Sequence, residues 1–70
     1  MLWWFERDGR KTRVEVLNLA TGQYELHIID GDGIERVEHF AEAGALAKRQ
    51  QQIQDSLVLQ GWKGPERWIG

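Results

Sequence analysis

Asp8-Gly9 sits between two runs that alternate in polarity, "MLWWFER" and "RKTRVEV". This dipeptide is the strongest short-range hairpin signal, because a type I′ turn needs positive φ at both central residues. A two-residue loop here dictates every flanking pair. On one face Phe5 falls opposite Thr12, Trp3 opposite Val14 and Met1 opposite Val16. On the other, Glu6 falls opposite Lys11, Trp4 opposite Arg13 and Leu2 opposite Glu15. The first set is the core face. In the second, Lys11 answers Glu6 and the Arg13 guanidinium is expected over the Trp4 ring. Successive side chains of a strand point to opposite faces, so Trp3 and Trp4 cannot share one core. Trp4 needs a cover of its own.

The next break, "NLATGQ", fits a three-residue loop of Ala20 to Gly22, which sets Val16 against Leu26 and Val14 against Ile28 and so continues the core face. "DGDG" turns the chain again. With Gly31-Asp32 as a two-residue loop, Ile29 meets Ile34, Leu26 meets Val37, Tyr24 meets His39 and Glu25 faces Glu38. A shift by one residue would set Glu38 against Leu26, which hydrophobic matching disfavours. The fourth strand, "IERVEHF", is the least apolar and suits a sheet edge.

From Ala41 the period changes. Ala43, Leu46, Ala47, Gln50, Ile53, Leu57 and Val58 recur at spacings of three and four, one stripe of a helix. Lys48, Arg49, Gln51, Gln52 and Asp55 are assigned to its solvent side. Its start is weakly marked, with no capping side chain and Gly44 in the first turns; Glu42 suits the positive end of the helix dipole. Its end is clear: "LQGW" places Gly61 at the left-handed C′ position and Trp62 at C″, within reach of Leu57. Beyond it, "KGPERWIG" has a Gly-Pro break and an apolar pair, Trp68-Ile69. The expected architecture is α+β: a four-stranded antiparallel meander followed by one C-terminal helix packed on one face, with residues 1–62 as a single domain and 63–70 as a tail.

Seventy residues suffice for one small domain, which buries only about 60% of its unfolded surface. Four tryptophans supply the large buried area such a core needs, and the absence of cysteine removes disulfides and thiolates from consideration. Neither a membrane-length apolar run nor a secretion signal is visible, so a cytoplasmic protein without a membrane partner is expected. The net charge of −2 gives no overall pull toward nucleic acid. Cations gather at Arg7, Arg10, Lys11 and Arg13, however, and anions between Glu15 and Glu42, so two oppositely charged ends could meet in a symmetric pair of chains.

By these registers the sheet face away from the helix carries Leu2, Trp4, Leu17, Leu19, Ile29 and Ile34 among charges. That is more apolar surface than a solvated face usually shows. A second copy of the chain, the tail with Trp68 and Ile69, or a ligand could cover it. A homodimer ranks first, because closed dimers commonly rescue a core this small.

Catalytic chemistry finds no support. His27 and His39 fall on opposite faces in this register, and Ser56 has no histidine at helical spacing. "DGDGIE" resembles part of a calcium loop through Asp30, Asp32 and Glu35, but its flanks read as strands and a tight turn explains the same residues. No metal and no cofactor is expected. The basic tip "RDGRKTR" beside Trp4 combines cations with a stackable ring, as single-strand binding requires. Trp4, Arg7, Arg10, Lys11 and Arg13 are its candidate nucleic-acid contacts, opposed by Glu6, Glu15, Glu25 and Glu38.

The pattern "YELHIIDGDGIERVEHF", then "ALAKRQQQIQDSL" and "GWKGP", resembles a family of small bacterial proteins of about 70 residues with no known activity. The likeness runs from Trp3 to Pro65 and implies a bacterial origin and a compact α+β unit. Those proteins tend to carry a capping aspartate where this chain has Ala41. The order of four strands and a helix is also similar to the dimeric unit of Whirly and PUR-type single-strand binders, a likeness of fold alone. The expected role is therefore non-enzymatic, acting through protein association, first with its own copy and also open to another protein. Single-stranded nucleic-acid binding is the alternative.

Overall fold

In the computed structural model, which describes residues 1–67, β1 (Leu2–Arg7) and β2 (Arg10–Asn18) form the expected hairpin. Asp8 (φ +50°) and Gly9 (φ +77°) both take the left-handed conformation that a type I′ turn requires. Phe5 pairs with Thr12, Trp3 with Val14 and Trp4 with Arg13, while Val16 N–H donates to Met1 O at 2.9 Å. The next loop spans Ala20 to Gly22, and β3 (Tyr24–Ile29) meets β2 with Val16 opposite Leu26 and Val14 opposite Ile28. Both registers follow the hydrophobic match.

The third register does not. β4 (Glu35–Phe40) sets Glu38 opposite Leu26, Val37 opposite His27, His39 opposite Glu25 and Phe40 opposite Tyr24, one residue from the expected pairing. Two interactions explain the shift. Asp30 Oδ1 accepts from the backbone N–H of Asp32 at 2.9 Å and of Ile34 at 3.1 Å, and Asp30 N–H donates to Ile34 O, closing a three-residue loop. Gly33, at φ +83°, supplies the left-handed residue that ends such a loop. Glu38, now on the helix side, receives a forked pair of bonds from Arg49, Nε to Oε1 at 2.8 Å and Nη2 to Oε2 at 3.0 Å. Arg49 is therefore turned toward the sheet rather than to solvent.

The helix α1 (Ala43–Leu59) starts at Glu42 without a side-chain cap, as the sequence suggests. It ends in the expected motif: Trp62 N–H donates to Leu57 O, Gly61 N–H donates to Val58 O, and Gly61 has φ +90°. Leu46 and Ile53 are buried, whereas Val58, expected in the stripe, is half exposed. Val14, Leu26, Ile28, Leu46 and Ile53 form the core, with Trp3, Val16, Tyr24, Phe40 and Leu57 packed around it.

After the helix the chain makes a fifth strand, β5 (Lys63–Arg67), antiparallel to β1 with Trp3 opposite Arg67 and Trp4 opposite Glu66. The sheet order is β4-β3-β2-β1-β5, so the expected four-stranded meander with a tail becomes a five-stranded sheet whose last strand follows the helix. "KGPER" shows no alternation because its side chains are not what holds it. Backbone pairing does, on an edge where Pro65 is tolerated. Gly64 is fixed by crowding: a Cβ there would stand 2.9 Å from Trp4 O and 3.0 Å from a Phe5 ring carbon. Trp68 and Ile69, offered as cover for the open face, lie outside the described residues.

Candidate functional site

The helix covers one face of the sheet, and strand alternation builds the other chiefly from two four-residue rows. Trp4, Arg13, Ile29 and Glu35 run across β1 to β4 in one row; Leu2, Glu15, His27 and Val37 run beside it. Leu17, Glu25 and His39 follow in a shorter row. Leu2, Trp4 and Ile29 are partly buried by their neighbours, while Leu17 is 39% and Val37 41% exposed. Four of the six residues expected on this face are there: Leu2, Trp4, Leu17 and Ile29. Leu19 lies past the end of β2, where its N–H donates to Gln23 O. Ile34 is displaced by the register shift to the loop position opposite Asp30, and Val37 takes its place on the face.

The same shift reunites the histidines. His27 Nε2–H donates to Glu25 Oε1 at 3.2 Å, and His39 Nε2–H donates to Glu25 Oε2 at 3.0 Å. His27 Nδ1 also lies 3.8 Å from Glu35 Oε2. Two imidazoles thus share one carboxylate on the open face, where the sequence reading had separated them. The bond from His27, and then that from His39, holds the Glu25 carboxyl below its ordinary value of 4.5. Among the described residues no group of three or more histidine and acidic side chains is arranged to hold a metal ion. The signal that could have found the pair was Asp30-Gly31-Asp32-Gly33 read as a three-residue loop with its left-handed glycine last.

The basic tip is largely answered by carboxylates. Arg10 Nη1 lies 3.0 Å from Asp32 Oδ1, Arg7 Nε 3.6 Å from Asp8 Oδ2, and Lys11 Nζ 3.8 Å from Glu6 Oε1. The cation over the Trp4 ring is Lys11, 5.8 Å from its centroid, rather than Arg13. Arg13 and Glu15 have no ion-pair partner among the described residues.

Both sheet edges are polar. β4 carries Glu35, Arg36, Glu38 and His39, and β5 carries Lys63, Pro65, Glu66 and Arg67, a composition that discourages strand addition. No helix of the described chain is long and apolar enough to cross a membrane. Comparisons with protein families, with curated proteins and with solved structures gave no match to this chain.

Proposed function

We propose that this chain is a non-enzymatic, cytosolic bacterial protein that acts by association, its open sheet face meeting a second copy of itself. The observation that carries the reading is the pair of rows on that face. A two-fold axis lying across the strands at the level of Val14 exchanges one row with the other. Trp4 then faces the partner's Leu2, and Arg13 faces the partner's Glu15. Two charges with no ion-pair partner in the described chain would satisfy each other, as an isologous interface requires. The polar edges favour stacking of faces over pairing of edge strands.

Light scattering across a wide concentration range tests this. A dimer is expected, and Trp4→Ala should weaken it by roughly 2 kcal/mol or more, as truncating a central aromatic anchor does. Arg13→Glu should weaken it as well, and adding Glu15→Arg to that variant should restore it. A monomer at every concentration, or a double variant no tighter than the single, refutes the proposal.

The alternative, single-stranded nucleic-acid binding, draws on Lys11 above Trp4 and on Arg13, which has no ion-pair partner among the described residues. The carboxylates beside Arg7, Arg10 and Lys11 leave it a small positive footprint. A labelled oligonucleotide at low salt is expected to show no shift with this protein.

A further inference from the structure

His27 lies between two carboxylates of the open face, with Glu25 Oε1 3.2 Å from Nε2 and Glu35 Oε2 3.8 Å from Nδ1. A neutral imidazole has one N–H, so it serves one carboxylate and turns a lone pair toward the other. The imidazolium has a donor on each nitrogen and answers both. His39, opposite Glu25 on β4, reaches the second oxygen of that carboxylate at 3.0 Å. The remaining neighbours of the cluster are few. From β2, Glu15 stands opposite His27, and Arg13 lines the same shallow hollow; from β4, Val37 stands opposite His27. The helix packs on the other side of the sheet.

Among the described residues, Glu25 and Glu35 have no ion-pair partner but these two imidazoles, whereas Glu6 has Lys11. In the two-fold arrangement proposed above, Arg13 is taken by the partner's Glu15 and is not free to help. The same axis lays β3 and β4 of one copy on β3 and β4 of the other, so the two clusters meet at one side of the contact. With the rings neutral, each copy brings two negative charges to that place, and like charges brought together across an interface oppose it. With both rings protonated, each cluster is balanced. The sign is therefore fixed: association takes up protons and strengthens as pH falls. Imidazole is the side chain that ordinarily titrates between pH 5 and 8. Glu25 and Glu38 are both held below 4.5, so the fold keeps its carboxylate pairs through that window.

We propose that His27 and His39, gathered on Glu25 and Glu35, form a proton switch that tightens the contact between two open faces when both rings are charged and loosens it when they are neutral. This inference rests on the dimer reading above. Dimer dissociation constants at pH 6 and pH 8, measured by light scattering at constant ionic strength, test it. The dimer should be about tenfold tighter at pH 6. These are the only histidines in the chain, so the double variant His27→Gln, His39→Gln should show nearly the same affinity at both pH values. Glu35→Gln, which removes one of the two unanswered charges from a half-exposed position, should tighten the dimer at pH 8 and narrow the difference. A dimer of equal strength at both pH values, one that tightens toward pH 8, or a dependence that survives in the double variant would overturn the switch and leave the dimer standing. A monomer at every pH would remove both.

Discussion

The two faces of this sheet answer charge with partners of different origin. Under the helix the Glu38 carboxylate is met by two nitrogens of a guanidinium brought over from α1. On the open face Glu6, Glu15, Glu25 and Glu35 stand among the apolar side chains, and Glu15 has no ion-pair partner among the described residues. Exposure does not separate them: the Glu38 side chain is 30% exposed and that of Glu25, on the open face, 25%. What differs is the source of the partner, a guanidinium from another element under the helix and imidazoles of the sheet's own strands on the open face.

Substitutions that compare the faces should separate accordingly. Leu26→Ala, at a fully buried core position, should destabilise the chain by about 2–5 kcal/mol, whereas Leu17→Ala on the open face should cost about 0.5 kcal/mol or less in dilute solution. Urea denaturation read by tryptophan fluorescence measures both. A Leu17 effect that grows with protein concentration would place it in the dimer contact. The adjacent tryptophans make a sharper pair: Trp3→Ala should lower the monomer's stability by roughly 3 kcal/mol, and Trp4→Ala should act chiefly on association.

Arg49→Ala should cost about 1–2 kcal/mol at neutral pH by leaving Glu38 unpaired in a partly buried position. The pH dependence has a definite sign. Arg49 holds the Glu38 carboxyl below its ordinary value of 4.5, so the pair stabilises the fold above that pH and its contribution is lost as pH falls through the lowered value. Glu25, lowered by His27 and His39, adds to the same acid limb. The Arg49→Ala variant should lose stability less steeply in acid than the unaltered chain, which denaturant midpoints at several pH values will show. The smallest effect expected is a gain: Thr12→Val should raise stability by about 1 kcal/mol by removing the unpartnered hydroxyl. No gain would mean that the hydroxyl is already satisfied.

The first two hairpin registers were legible in the sequence because Asp8-Gly9 fixes one and the match of Val14 and Val16 with Ile28 and Leu26 fixes the next. The helix end was legible in Gly61-Trp62. The third register was legible only in part: the Asp30–Gly33 loop signals it locally, but the Arg49 that answers Glu38 on the helix side lies on another element. Arg49 lies three positions after Leu46 and four before Ile53, on the stripe that faces the sheet, and its charge alone suggested the solvent side. Four of the open-face residues were legible by alternation, while the one-residue slip exchanged Ile34 for Val37 and brought His39 to Glu25. β5 left no trace because backbone pairing, which every residue but proline offers equally, does not register as a hydrophobic pattern.

The helix runs from one border strand of the sheet, β4, to the other, β5, and this sets an order of assembly. The three hairpin pairings close short loops, while β1 meets β5 only after nearly the whole chain has been gathered, the most costly closure in the molecule. β5 is therefore expected to lock last and to release first. Changes confined to it should quicken unfolding and leave the folding rate almost untouched, as expected of contacts made after the transition state.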